Sequence, residues 1–426
     1  MSLVLKSNKS FSGDSSVLPT ELAPLPTSAA YHFNFKKKIF VGYNAAGTQI
    51  KHYVIANSVT TSSALNVAAS GEIESSQNTY YESGKAKGLY SSGITSNRIS
   101  DPFDLSTSNW ARNNLTIAAP STTYGVALAT ATAGTTITSS VQQAMNVSTD
   151  VVSMSIFAKK GTAQYLMIES TGDANCFAVF DLDKGVVTNV GKTAYSTDVV
   201  VRGNYLQCNV STNTKAALTG NVKYSIVKSA KATPSSTFTF DGTETMYLGL
   251  AMANHSSMVC RMAAAGAVAS RTMKAEQKVT CSNDVTFVID VELGKSAPLT
   301  TRPYLLSLKT KTGSSVGYVV VAFNALNASV NPSKLSILET SLYTLSSSYD
   351  ELVWTAGLKL KIAIRLSSNK LTIVHKDFVI QDVALTSVTS GWTLVDCLVG
   401  ENLDGNIISY TQYNKSLSIS EMQQLM

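Results

Sequence analysis

One pattern limits this chain more than any other. From Asn97 to Gln277 no segment carries a helical apolar period, and short alternating runs recur instead. Turn residues separate them at intervals of about 8–12 positions, the spacing of a β-sandwich or jelly roll. The most legible part is Met154 to Val190, MSIFAKKGTAQYLMIESTGDANCFAVFDLDKGVVTNV. In MSIFAKK, Met154, Ile156 and Ala158 share one face and Ser155 and Phe157 the other, the period of a half-buried strand. Gly161 turns the chain into QYLMIES and then CFAVFDL, and Asp183-Lys184-Gly185 turns it again into VVTNV. A glycine in such a turn is free to take the positive φ that a hairpin loop requires.

Composition agrees with an all-β chain. At 426 residues two or three domains are expected, since a domain runs to roughly 100–200 residues. Charged residues make up 15%, about ten points below a typical soluble protein, and Ser, Thr, Asn and Gly fill the difference. The net charge of +6 is small and forms no block beyond Lys36-Lys37-Lys38, so no nucleic-acid partner is expected. No run approaches the roughly 18 apolar residues of a membrane span, so no membrane insertion is expected. The start, MSLVLKSNKSFSG, lacks the apolar core of a signal peptide. Cys176, Cys208, Cys260, Cys281 and Cys397 show no CxxC or Cys/His spacing. They read as buried free thiols of a protein folded in a reducing cytoplasm.

Residues 1–95 are the least regular. Pro19, Pro24 and Pro26 among Ser-rich turns suggest an extended arm. YHFNFKKKIFVGYN then sets His32, Asn34 and Lys36 on one face and Tyr31, Phe33 and Phe35 on the other. Two expectations follow: a small β-hairpin with loose flanks, or an attachment arm that orders against another subunit, because so polar a segment buries little by itself.

Residues 96–278 carry a set of short motifs in order. Asn109-Trp110 opens it, followed by SIFAKK, a Phe180-Asp181-Leu182-Asp183-Lys184-Gly185 hairpin, a strand from Tyr205 to Val210, a late YLGLAMA strand and an Arg271-Thr272 exit. This order resembles the carbohydrate-binding-module-like jelly rolls of tail-fibre and other virion proteins of tailed bacteriophages. The chain departs from that pattern at Gly203-Asn204-Tyr205-Leu206, where those proteins often have Gly-Trp-Tyr-Arg, and in its exit, RTMKAEQ.

Residues 279–426 begin with DVTFVIDVEL and contain LKIAIRL-SSN-KLTIVHKD, an antiparallel pair expected to set Ile362, Ile364 and Leu366 against Leu371, Ile373 and His375. Near the end, Ser418 and Glu421 form a capping box for a short helix, with Leu417 and Met422 as its hydrophobic staple. Gly405, Ile407, Tyr413, Asn414, Leu417 and Glu421 fall as in the closing motif of concanavalin A-like and laminin-G-like sandwiches, which this segment resembles. The fold expected is therefore all-β: tandem β-sandwiches, a jelly roll then a concanavalin A-like sandwich, behind a small, partly extended N-terminal β region.

No catalytic constellation stands out. Val288-Ile289-Asp290-Val291-Glu292 approaches the acidic signature of concanavalin-fold glycoside hydrolases, whose retaining mechanism needs two carboxylates about 5–5.5 Å apart. Val288 occupies the nucleophile position, so an ordinary strand with solvated acids is expected. His32, His52, His255 and His375 lie far apart without metal-site spacing. Asp181, Asp183 and Gly185 could serve Ca²⁺, but a hairpin turn needs the same residues. No metal and no cofactor is expected. Aromatic rings stack on sugars, and Tyr343, Tyr349 and Trp354, in and beside the apparent loop LYTLSSSYDE, are the candidate glycan-binding residues. Trp110, Trp354 and Trp392 have a core explanation of at least equal weight.

Together these readings imply a non-enzymatic structural protein of a phage virion, folded in the host cytoplasm. Its N-terminal region would hold other virion proteins, and its lectin-like domains would bind host-surface glycan as a homo-oligomeric tail fibre or appendage. Alternatives are a head decoration or head fibre, a glycan-degrading depolymerase, and a secreted adhesin.

Overall fold

The computed structural model describes the strands lying between residues 29 and 96 together with Ser70, and from residue 97 onward all but 123–124, 135–137, 147–151, 213–218, 255–267, 276–280, 294–301, 325–332, 340–343, 356, 401–402 and 404. The jelly-roll region contains β-strands divided between two sheets. Four N-terminal strands matter to the architecture: β1 (Ala29–Asn34), β2 (Ile39–Tyr43), β3 (Asn57–Thr60) and β4 (Lys85–Ser96). Then follow β5 (Ala127–Ala131), β6 (Ser139–Asn146), β7 (Val152–Lys160), β8 (Tyr165–Ser170), β9 (Asp173–Asp181), β10 (Val186–Val190), β11 (Ala194–Arg202), β12 (Tyr205–Thr212), β13 (Thr219–Val227) and β14 (Thr245–Asn254).

One six-stranded antiparallel sheet runs β5-β14-β7-β12-β11 with Leu115–Ile117 beside β5; the other runs β10-β9-β8-β13-β6 with Ala111–Asn113 beside β6. From β5 to β14 the chain crosses between the sheets at every step except β8–β9–β10 and β11–β12, which are antiparallel neighbours within one sheet, and β5 and β14, and β6 and β13, are hydrogen-bonded pairs. Ile156, Cys208 and Leu248 from the first sheet meet Leu166, Phe180 and Tyr224 from the second in a shared core. The Tyr224 hydroxyl donates to the Ser155 carbonyl at 2.8 Å, tying the sheets together.

Strand β7 departs from the half-buried expectation. It lies between β12 and β14, and Ser155 and Phe157 are as buried as Met154 and Ile156. On that second face Phe157 packs edge-on against Tyr205, with centroids 6.4 Å apart. Alternation in sequence marks the two faces; it does not reveal that both are covered. The N-terminal region reaches this sheet too, since Asn204 Nδ2 donates to the Ser70 carbonyl at 3.0 Å.

The second sandwich contains β15 (Val268–Ala275), β16 (Asp284–Glu292), β17 (Tyr304–Thr312), β18 (Ser315–Phe323), β19 (Lys334–Glu339), β20 (Thr344–Val353), β21 (Lys359–Ser367), β22 (Lys370–Val374), β23 (Val379–Ala384), β24 (Thr393–Val399), β25 (Gly405–Tyr413) and helix α1 (Ile419–Gln424). One layer runs β23-β22-β21-β16-β25 and the other β20-β19-β18-β17-β24-β15. Phe287, Ile289, Ile362 and Ile373 from the first pack on Leu308, Val319, Ile337 and Trp392 from the second.

The β21–β22 hairpin has the register read from the sequence, Ile364 opposite Ile373 and Leu366 opposite Leu371, with Ser368 at φ 52° in the turn. Helix α1 also forms as expected. The Glu421 N–H donates to Ser418 Oγ, and the Ser418 N–H donates back to Glu421 at 2.7 Å. So short a helix is marginal alone. Leu417 and Met422, both fully buried, fasten it to Val288, Ala363 and Val374 on the outside of the first layer.

Strands from the N-terminal region pair with strands that follow the jelly roll. Strand β1 pairs with β25, His32 opposite Thr411 and Asn34 opposite Ser409. Strand β3 pairs with β15. In β4, Leu89 to Ser91 pair with β25, and Ser92 to Ser96 pair with β15, so one strand passes from one layer to the other. Strands β1, β3, β4 and β15 thus pair with strands of the second sandwich or with one another. The jelly roll is looped out between β4 and β15, which pair at Ser96 and Val268. The reason is physical: β25 and β15 offer unpaired backbone edges, and distant strands satisfy them. The hairpin expected around YHFNFKKKIFVGYN exists as β1–β2; the proline-bearing arm lies outside the described residues. No helix among the described residues is long and apolar enough to cross a membrane.

Candidate functional site

Among the described residues, the expected aromatic side chains lie on a strand and in the core. Tyr343 lies outside the described residues. Tyr349 stands in β20, opposite Leu335 of β19, half-buried against the core. Trp354 is buried, its ring meeting Phe323 at 5.3 Å and 86°. The Ser-rich run LYTLSSSYDE suggests a loop because serine favours turns, but backbone pairing with β19 makes most of it strand. Trp110 and Trp392 are fully buried as well, so each tryptophan is a core residue.

Strand β16 carries the acidic motif. Val288 is buried beneath α1. Asp290 and Glu292 are half-buried rather than solvated, and stand across from Lys361 and Lys359 of β21. Opposite charges facing each other across a strand pair stabilise the sheet, a structural use of these acids.

In the β9–β10 turn, Asp181 is buried and caps the backbone. One carboxylate oxygen accepts from the N–H groups of Asp183 and Lys184 at 3.0 and 3.1 Å, and Gln164 Nε2 bonds both oxygens at 3.0 Å. Burial raises its pKa, but the hydrogen bonds from Gln164, Lys184 and Asp183 outweigh that and hold it below the usual carboxylate value. Asp183 pairs with Lys160 at 2.7 Å. Among the described residues no three His, Cys, Asp or Glu side chains are grouped to hold a metal ion.

Four thiols, Cys176, Cys208, Cys281 and Cys397, are buried and free as expected. Burial pushes Cys176, Cys281 and Cys397 up to about 12 and raises Cys208 as well, so they are protonated and unreactive. Cys260, His52 and His255 lie outside the described residues. His375 stacks on Phe378 at 4.9 Å. His32 is buried, its Nδ1 2.8 Å from Thr411 Oγ1, and burial followed by the Lys361 charge lowers its pKa to about 4.

The structure adds a cleft that sequence reasoning missed. It has a volume of about 220 Å³ and lies at one end of the jelly roll, where β8 begins beside the end of β13 and the chain enters β14. Thr162, Gln164, Tyr165, Lys228 and Glu244 line it. Lys228 forms an ion pair with Glu244, donates to the Thr239 carbonyl at 2.8 Å, and lies 5.4 Å from the Phe240 ring centre. Glu244 also accepts from the Asp241 and Gly242 N–H groups at 3.2 and 3.3 Å. Three separated segments contribute, so no local motif announces it.

No family model matches the sequence, and the comparison with curated proteins finds no match. Among solved structures, the chain aligns with Trypanosoma rangeli sialidase in complex with sialic acid at 8% identity, covering 74% of this chain and 62% of that one, with a TM-score of 0.26. It aligns with the LG1-3 region of the laminin alpha2 chain at 12% identity, covering 80% of this chain and 65% of that one, with a TM-score of 0.17. The chain spans less than two thirds of either protein. At these scores neither likeness bears on function.

Proposed function

We propose that this chain is a non-enzymatic structural component of a phage virion, a tail fibre or appendage that displays β-sandwiches for adhesion to host-surface glycan. One observation carries the reading: the jelly roll is looped out of a second sandwich and held at its base by paired strands β4 and β15. Such an arrangement would present one sandwich from the base formed by the other. The motif order of residues 96–278, similar to tail-fibre jelly rolls, supports the virion setting. The Ser- and Pro-rich end before Ala29 would attach it to other virion proteins, and multiple copies would raise avidity.

Electron microscopy of tailed-phage particles labelled with antibody to this chain tests the setting. Label on the tail is expected, label on the head would make it a decoration or head fibre, and unlabelled particles would remove the virion role. A reducing-sugar assay on host polysaccharide tests the absence of catalysis. Turnover that disappears in Asp290→Ala or Glu292→Ala would establish a depolymerase instead.

A further inference from the structure

We infer that the cleft between Tyr165 and the Lys228–Glu244 pair binds a single neutral pyranose ring at the end of a glycan chain. This rests on the glycan-adhesion reading and moves the contact from the second sandwich to the jelly roll. Three properties of the cleft carry it.

Size comes first. At about 220 Å³ the cleft is smaller than the roughly 300–1,000 Å³ of sites for drug-sized ligands, which suits one sugar ring better than an oligosaccharide. Polar chemistry comes second. A sugar offers adjacent hydroxyls, each both donor and acceptor. Lys228 supplies N–H donors and Glu244 supplies acceptor oxygens side by side, with side chains 40% and 11% exposed. Their partners are fixed: Glu244 by the Asp241 and Gly242 N–H groups, Lys228 by the Thr239 carbonyl. The pair is therefore oriented before a ligand arrives, which lowers the ordering cost of binding. Its net charge is zero, which favours a neutral sugar over an anionic one.

The apolar element comes third. Tyr165 lines the cleft half-buried, fixed against the small cluster of Met167, Phe177, Val179 and Val227. A held aromatic ring offers the flat surface against which the C–H face of a pyranose packs. Gln164, whose amide nitrogen is committed to Asp181, also lines the cleft.

The experiment is a glycan array probed with the full chain, followed by calorimetric titration of the best neutral glycan. Lys228→Gln and Tyr165→Leu should each weaken binding about tenfold or more, the scale of a contact worth about 1.4 kcal/mol. Tyr165→Phe, which keeps the ring, should bind within about threefold of the parent, on the same free-energy scale. Circular dichroism and thermal melting confirm folding, and if Tyr165→Leu does not fold, Lys228→Gln decides. Undiminished binding by both variants, with loss in Tyr343→Ala, would overturn the cleft while leaving glycan adhesion intact. An array on which the parent chain binds nothing overturns both the cleft and the adhesion reading.

Discussion

Asn97 holds Ala253 across the mouth of the jelly roll. Its Oδ1 accepts the Ala253 N–H at 3.1 Å, its Nδ2 donates to the neighbouring Ala251 carbonyl at 2.9 Å, and the Arg98 N–H donates to the Ala253 carbonyl at 2.9 Å. Asn97 is completely buried and also accepts from the Ile99 N–H at 3.1 Å. The residue that follows β4 therefore clamps the last strand of the jelly roll, closing the loop on itself. Asn97→Ala would strand buried backbone groups, and a loss of about 2–4 kcal/mol is expected. Urea denaturation measures it; a change under about 0.5 kcal/mol, typical of neutral surface positions, would refute the clamp.

The second prediction concerns acid. The His32 pKa falls from 6.5 in the unfolded chain to about 4 in the fold. Between those values the unfolded state binds more protons, so stability decreases as pH falls through this window and levels off below it. The full effect is about 3 kcal/mol, since each tenfold change in proton affinity is worth roughly 1.4 kcal/mol. His32→Gln should remove that part of the slope. Denaturation midpoints of parent and variant between pH 7 and pH 4, compared as a difference, isolate it from the carboxylates. Parallel curves would show that His32 is not the group responsible.

Thiol reactivity gives a third test. Cys176, Cys208, Cys281 and Cys397 should resist iodoacetamide at mildly alkaline pH until denaturant is added, because burial both blocks access and disfavours the thiolate. Mass spectrometry that assigns each modified cysteine reads the outcome. Rapid labelling of any of these four in the native protein contradicts the packing described.

Helix α1 provides a fourth. Ser418→Ala removes the cap and should cost about 1 kcal/mol, whereas Met422→Ala empties a fully buried site and should cost about 2–5 kcal/mol. Equal effects in thermal melts would mean that the cap and the packing are not separable as drawn.

What can be read in advance follows the range of the forces concerned. The β21–β22 register depends on neighbours either side of a two-residue turn, and the Ser418–Glu421 box on residues three apart; both are legible in the sequence. The jelly roll is legible as turn spacing, although its strand pairing is not. Local preference misplaces Tyr349, because it assigns a serine-rich run to a loop whereas pairing with β19 decides its conformation. The cleft is invisible in the sequence because Thr162, Lys228 and Glu244 meet only through the crossing of β8, β13 and β14.

The sequence by itself determined that this chain is all-β, where most strands and turns fall, how the final helix is capped, and that its described thiols stay free. Tertiary structure alone decided that β1, β3 and β4 complete the second sandwich, that β7 is covered on both faces, and which polar groups share the cleft. Alternation and capping act over a few residues and are written locally. Strand edges are chemically alike, so their partners are chosen only when distant segments are brought together and the buried backbone groups must all be paired.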